Sequence, residues 1–478
     1  MENCATIDSS GSSFDDMSNH ASSRTYSIVV ILSKYRLSLS KLCKPNNVRI
    51  FVVSPPRMLY DEANVDVYYQ VELPMSETDH SPMLQKAREL VQMVSTSQVR
   101  IVAFEKSLQR AVAKLRYELD VEGFNHEQID LLSRIRESSQ MTRRGGLTTP
   151  RQMILTGITQ PEMWLEAVHS QLGGYPVYVR PARSSADYAK TIIGVQKLES
   201  DEETKQWFRR VYAPASPTAE WVIEESYEDG VEFVVMCTAV AGIIYCISAM
   251  DHDRTLFDLI ANQKPYAVQL FNVDQTRDQM PGLESFVMQT TKTLFSKNFS
   301  GAIFIRGFYK THNDIFLLGV ELQPSSECHR NLLSLPKESP GWESICIHSL
   351  FAGDSSELDY TSSPPSVAHH AVINVPSQEG VLLHQATIHK RRTSSMRVSW
   401  RCAEGQELRD SDGIDGNIVQ VFISNTENRR LVDDIGEIMK KIDIPIDRNP
   451  VVERHAACRK HYQRLNAREF VRSCTTTD

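Results

Sequence analysis

The residues best suited to chemistry sit at the ends of apolar, alternating runs. Residues 301–325 read GAIFIRGFYKTHNDIFLLGVELQPS, two apolar runs about the polar turn THND, which is the pattern of a β-hairpin. Closed symmetrically about that turn, Phe304 faces Glu321 and Arg306 lies on the diagonal. Strand side chains alternate, so Phe304, Arg306, Gly319, Glu321 and Gln323 share one face. Glu321 and Gln323 offer oxygens of the kind a hard cation such as magnesium takes. Upstream, YPVYVRPA at 175–182 delivers the cation Arg180 just before a proline, and WVIEE at 221–225 ends in the paired carboxylates Glu224 and Glu225. Glu232 opens the next apolar run after Gly230. Taken singly, each of these reads equally well as a solvated strand end.

The elements that must position them follow from periodicity. Short apolar runs at 26–32, 48–53, 65–71 and 99–104 read as strands. Between and after them, Leu84, Ala87, Leu90 and Val91, then Leu108, Ala111, Val112 and Leu115, recur at helical spacing. Strands alternating with helices imply a mostly parallel sheet, wound like a nucleotide-binding half-domain. No GxGxxG follows any of these strands and no GxxxxGK[ST] occurs, so dinucleotide and P-loop chemistry are poorly supported. Further on, 161–172 reads as a helix stopped by Gly173-Gly174, 192–198 as a strand and 201–210 as a helix. Two antiparallel runs, 230–239 and 241–249, precede a helix at 283–297 that leads into the hairpin. A helix at 342–351, strands at 381–388, 396–401 and 419–424, and a helix at 428–441 complete the reading.

Composition sets the class. At 478 residues, two or three domains sharing a cleft are expected. With 41% hydrophobic and 23% charged residues, the chain has the make-up of a soluble globular protein. A net charge of −8 argues against a nucleic-acid surface. The 9 cysteines are scattered with no CxxC pair, which fits reduced thiols in the cytoplasm better than a disulfide framework or a zinc site. The N-terminus lacks the basic-then-apolar pattern of a signal peptide, and the apolar run 28–32 is too short to span a bilayer, so no membrane partner is expected. Residues 1–24 read as disordered, 355–370 as a Pro- and Ser-rich linker, and 451–478 as a basic, solvated tail.

In order, the runs GGLTTP, GGYPVYVRP, VIEESYEDGVE and GVELQPS resemble the ATP-grasp superfamily, with its aGxPtP turn, GyPvvvKP strand, vEeyxxGxE hinge and hairpin ending in EiNpR. VAFEKSLQRAVAKL resembles the family's pre-grasp domain. The segment from Gly380 through GQELRDSDGIDGNIVQVFISNTENRRLVDDIGEIMKKI resembles the small C-terminal lobe of its carboxylate–amine ligases of the carnosine-synthase type. The resemblance implies an ATP-grasp fold of α/β and α+β parts: a Rossmann-like pre-grasp domain at 25–145, an ATP-grasp domain at 146–354 and a small lobe at 371–450. It further implies ATP and Mg2+, an acyl phosphate formed from a carboxylate, and an amine that displaces phosphate. That chemistry is largely electrostatic. The basic strand end would meet phosphates, the carboxylate hinge the ribose hydroxyls, and acidic strand ends the magnesium. Arg180, Arg136, Glu224, Glu225 and Glu232 are then the nucleotide contacts, and Glu321 and Gln323 the metal ligands.

The departures from the pattern are as informative as the match. Arg180 stands where the family has a lysine, a planar fork in place of a compact ammonium. The earlier family lysine falls near Arg134 or Arg136. The loop 183–193 has no glycine, Gln323 replaces an asparagine, and Ser325 replaces an arginine. Arg306 stands where the family has its first acidic metal ligand. The diagonal register puts its guanidinium within reach of Glu321, so the expectation is a salt bridge in the metal site. With charge–charge terms of ~4 kcal/mol each at ~4 Å and an effective dielectric of about 20, most of the metal affinity would go. Two readings stay open: an ATP-dependent carboxylate–amine ligase with an altered metal site, with Arg306 standing in for a metal, or a catalytically inactive nucleotide-binding or interaction module.

Overall fold

A computed structural model describes residues 27–35, 37, 39, 47–56, 65–73, 79–94, 98–133, 135–155, 161–181, 196–212, 220–226, 230–252, 264–297, 299–324, 326–335, 341–351, 368–386, 388, 393–411 and 416–447. The N-terminal stretch 1–24, nearly all of the linker 355–370, the loop 183–193, Arg134, Ser325 and the tail 451–478 lie outside the described residues.

The first sheet is wholly parallel. Its strands are β1 (Ser27–Leu32), β2 (Val48–Ser54), β3 (Val67–Gln70) and β4 (Val99–Ala103), in the order β3-β2-β1-β4. SIVVIL in β1 is buried throughout, as a strand covered on both faces must be. Ile28, Val30 and Leu32 pack beneath the helices Ser81–Met93 and Lys106–Glu118, while Val29 and Ile31 face the other way. The helix Ser81–Met93 buries Met83, Ala87 and Leu90, the spacing of one helical face, and Pro82 sits in its first turn, where a missing N–H costs nothing.

A small antiparallel sheet follows: β5 (Gln152–Leu155), β6 (Val177–Pro181), β7 (Gln196–Leu198) and β8 (Trp221–Glu225), in the order β5-β8-β6-β7. The helix Pro161–Ala167 ahead of β6 continues as a π-helical turn, Val168–Leu172, that ends on Gly173 at φ 88°, the left-handed stop expected of glycine.

The large sheet carries the hairpin. Its strands are β9 (Val231–Val240), β10 (Ile243–His252), β11 (Tyr266–Phe271), β12 (Gly301–Thr311), β13 (Asp314–Glu321), β14 (His369–Pro376), β16 (Ser395–Trp400) and β18 (Asn417–Asn425), ordered β13-β12-β9-β10-β11-β14-β18-β16. The short strands β15 (Gly380–Leu382), β17 (Glu407–Leu408) and β19 (Ile446–Asp447) form a sheet of their own. On one face of the large sheet, Val234, Met236, Ala302 and Phe304 pack with Val29, Ile31, Ile50 and Val52 of the parallel sheet. Trp342 sits in this core with its ring edge-on to Phe104 at 4.9 Å and to Phe304 at 5.6 Å. On the other face, Val235, Cys237, Ile303 and Ile305 pack against the helix Leu283–Leu294.

Several elements differ from the sequence reading. The linker ends by residue 368, because His369 and His370 already belong to β14, a buried central strand paired with β11 and β18. Its apolar core AVINV is short, and the Pro- and Ser-rich stretch before it masked the start. β11 and the helices His126–Ser133 and Ile135–Arg144 went unread; the latter two have weak or polar-dominated patterns and are ordered by packing. The strand expected at 381–388 shrinks to Gly380–Leu382, the part that pairs in register with β17 and β19.

Candidate functional site

The hairpin closes in the register that symmetry about its turn predicts. Phe304 pairs with Glu321 and Arg306 with Gly319, despite bulges after Arg306 and Tyr309. On the neighbouring strand, Arg306 pairs with Val234 and Phe308 with Glu232. Glu232, Val234 and Met236 therefore share a face with Phe304, Arg306 and Glu321. That face is apolar where it covers the parallel sheet and becomes charged toward Arg306 and Glu232. The charged end lies where β4 of the parallel sheet runs out, because Lys106, three residues past its end, reaches across. Open α/β sheets place ligands beyond the carboxyl ends of their strands for this reason.

The expected ion pair between Arg306 and Glu321 is not what forms. Lys106 Nζ lies 3.0 Å from Glu321 Oε1, while Arg306 Nε faces Glu232 Oε1 at 3.8 Å. The ammonium wins Glu321 because the helix Lys106–Glu118 starts directly at the rim of the hairpin, and the bulge after Arg306 locally redirects that strand. Glu232 is buried at 6% exposure, so its carboxylate draws in the nearest guanidinium. Arg306 Nε has no hydrogen-bond acceptor, nor has Gln323 Oε1 any donor, although both atoms are buried. Gln323 itself is 8% exposed.

The other expected contacts lie on the small sheet. Arg180 on β6 donates from Nη2 to Glu224 Oε2 on β8 at 2.6 Å, both side chains being largely buried. Its Nε is buried without an acceptor. Glu225 is held by Arg151, whose backbone N–H donates to Oε1 at 2.7 Å and whose Nε lies 2.5 Å from Oε2. The turn just before, at Thr148, is bonded to the outer hairpin strand: Leu317 N–H donates to the Thr148 carbonyl at 2.9 Å. The segment GGLTTP thus touches the hairpin while Arg151 grips the hinge carboxylate. Arg136 falls in the helix Ile135–Arg144. The structure therefore brings Arg180 to Glu224 and Arg306 to Glu232, and leaves Glu321 to Lys106.

Lys106 and Arg151 are the site residues that sequence reasoning missed. Lys106 had a signal: it directly follows Glu105 at the end of a parallel strand. Arg151 had none beyond its place after the GGLTTP turn. Glu105, just before Lys106, accepts from Ser33 Oγ at 3.2 Å and from the Lys34 backbone N–H. Burial outweighs those bonds and lifts its carboxyl to about 7.

The residues present do not fit a divalent cation. Such a site wants several anionic oxygens. Here one carboxylate, Glu321, is already matched by an ammonium, the nearby amide oxygen of Gln323 is neutral, and Arg306 adds a second positive charge. Among the described residues no group of three or more His, Cys, Asp and Glu side chains is disposed to hold a metal. They suit an anion better: Arg180 and Arg306 each carry a buried Nε–H without a hydrogen-bond acceptor among the described residues.

Comparison with solved structures shows the fold. L-amino acid ligase from Bacillus licheniformis superposes with a TM-score of 0.61 at 14% identity, over 89% of this chain and 100% of that one. The chain shares the fold of that ligase. Phosphoribosylglycinamide synthetase from Anaerococcus prevotii matches with a TM-score of 0.55 at 13% identity, over 88% of this chain and 100% of that one. N5-carboxyaminoimidazole ribonucleotide synthetase from Thermotoga maritima gives 0.53 at 11%, over 88% and 100%. No family model matches the sequence. No curated protein matches it either. No described helix is long and apolar enough to cross a membrane.

Proposed function

We propose that the chain binds ATP between its small antiparallel sheet and the charged end of the large-sheet face, and acts as an ATP-dependent ligase joining a carboxylate to an amine. The observation that carries this reading is the pair of buried guanidinium N–H groups, on Arg180 and Arg306, that have no hydrogen-bond acceptor among the described residues. Triphosphate oxygens would satisfy both. Glu224, Glu225 and Glu232 would turn toward the nucleoside end, Arg136 would add a phosphate contact, and Lys106 would face the transferring group beside Arg306.

In this reading the substrate carboxylate attacks the γ-phosphorus, the bond to the β,γ-bridging oxygen breaks, and ADP leaves. The amine then attacks the acyl carbon, loses a proton, and expels inorganic phosphate. Arg306 and Lys106 would offset the charge spread over the phosphoryl oxygens, the part that positioned cations play in such transfers. Glu321 and Gln323 would orient those cations instead of binding magnesium. The same reading divides the chain into a pre-grasp domain at 25–145, a grasp domain at 146–354 and a small lobe from about 371, in a cytoplasmic protein whose described cysteines Cys237, Cys328, Cys346 and Cys402 are free.

One observation favours a second reading. The Lys106–Glu321 pair is complete without any ligand, which suits a non-catalytic nucleotide-binding module. A thermal-shift titration of ATP, with and without magnesium, on the wild type and on Arg306→Glu tests the nucleotide. Release of ADP with carboxylates and amines present separates ligase from module. No shift with either ATP or ADP would remove the nucleotide from both readings.

A further inference from the structure

One buried arginine lacks a carboxylate partner among the described residues. Arg116, near the end of the helix Lys106–Glu118, is 8% exposed. Its Nη1 donates to the Phe124 carbonyl at 2.9 Å, and its Nε has no acceptor. Among the described residues no acid forms an ion pair with it. The contrast with Arg180, whose guanidinium meets Glu224 at 2.6 Å, is direct. Burying a cation unpaired is unfavourable. Desolvation accordingly pushes the Arg116 guanidinium down to about 10, which still leaves it charged at neutral pH.

Arg116 lines a cavity of about 300 Å³ between the parallel sheet's edge strand β4 and the start of β12. One wall is apolar, with Phe124, Phe299, Leu322 and Leu350, the two phenyl rings 4.7 Å apart; Gln109, Gln128 and Ser300 add neutral polar groups elsewhere in the lining. Cys346 also lines it, and burial raises that thiol to about 11, so it stays neutral. Arg100 and Glu122 stand at the rim, paired at 2.5 Å, with Glu122 67% exposed; they cancel one another. Gly123 makes the space: a Cβ there would come within 2.8 Å of Arg116 Nη1. The cavity thus carries one uncompensated positive charge at an apolar wall. Its volume is at the small end for ligand pockets.

We infer that this cavity is a binding site for a small monocarboxylate with an apolar body, its carboxylate on the Arg116 guanidinium and its body against the wall that Phe124 and Phe299 form together. A single anionic group matches the single free charge, and the phenyl-lined wall excludes a fully hydrated ion. Leu322 places the cavity next to Glu321 and Gln323, while Arg306 stands further along β12 and does not line it.

Benzoate is the probe, titrated into the full chain by thermal shift and calorimetry, with inorganic phosphate at matched ionic strength. The expected result is saturable stabilisation by benzoate and none by phosphate, at least tenfold weaker affinity in Arg116→Met, and affinity within twofold of wild type in Arg306→Gln. No saturable benzoate response, an equal response to phosphate, undiminished affinity in Arg116→Met, or a loss in Arg306→Gln would each overturn the assignment. Should Arg116→Met fail to fold, hydrogen exchange on the wild type decides. Benzoate should slow exchange at 100–104 and 299–302 and leave 221–225 unchanged, and absence of that protection overturns the proposal.

Discussion

The two charged clusters of this chain are built in opposite ways. On the small sheet, Arg180 with Glu224 and Arg151 with Glu225 form short, one-to-one pairs at 2.6 and 2.5 Å. At the hairpin, Arg306 sits 3.8 Å from Glu232, Glu321 is satisfied by Lys106 from a distant part of the sequence, and Gln323 keeps a buried oxygen with no partner. The first cluster matches each carboxylate to one arginine. The second keeps the register that the apolar alternation sets and holds its charges more loosely. A strand pair can therefore keep its geometry whatever charges its ends carry, because register is set on the buried face and not by the charged rim.

If that contrast is real, the small-sheet pair should be the costlier one to break. Arg180→Ala leaves a largely buried Glu224 with its cation gone, and about 3–5 kcal/mol of destabilisation is expected in urea denaturation. Lys106→Ala should cost under about 1 kcal/mol, since both members of its pair are one-quarter exposed. Equal losses in the two variants would erase the distinction.

A third group of acids sharpens the comparison by titrating between the two clusters' neighbourhoods. Burial lifts Glu105, next to Lys106, and Glu343, next to Trp342, to about 7 from a usual 4.5. Between those values the folded chain holds protons that the unfolded chain has released. Stability from these groups is thus full below pH 4.5 and is lost as pH rises through about 7. Urea midpoints at pH 5 and pH 8 should show it as a difference between chains: Glu105→Gln, which keeps an acceptor for Ser33 and Lys34, should lose less stability on going to pH 8 than the wild type does. An identical pH dependence in the two chains would mean that Glu105 titrates as an ordinary carboxylate.

How much of this was readable beforehand follows the same division. The parallel sheet, the hairpin and its register were legible because buried strands impose alternation and continuous apolar runs, as in SIVVIL and GAIFIRGF. β14 was not, because its start HH follows a Pro- and Ser-rich stretch and its apolar core is short. Among the candidate residues, Arg180, Glu224 and Glu232 lie on the strands that the alternation led one to expect. The partner of Glu321 was illegible: Lys106 is 215 positions away, and nothing local to the hairpin announces a side chain delivered by another sheet. Arg116 was equally silent, as its helix position reads only as one more basic residue near a helix end.

The smallest expected effect is the most diagnostic of what the hairpin has become. In the wild type, magnesium should change ATP affinity less than twofold, because Lys106 and Arg306 hold the positions a cation would need. The double substitution Lys106→Met with Arg306→Glu frees Glu321 and restores an acid beside it. At ~4 Å and an effective dielectric of about 20, each altered charge pair carries up to ~4 kcal/mol before hydration is counted, so a net gain of about 1.4 kcal/mol, or tenfold, in magnesium dependence is a modest demand. Calorimetric titration of ATP with and without magnesium reads it directly. If the wild type already responds tenfold, the cations at the hairpin do not keep magnesium out, and the second cluster holds a metal despite them.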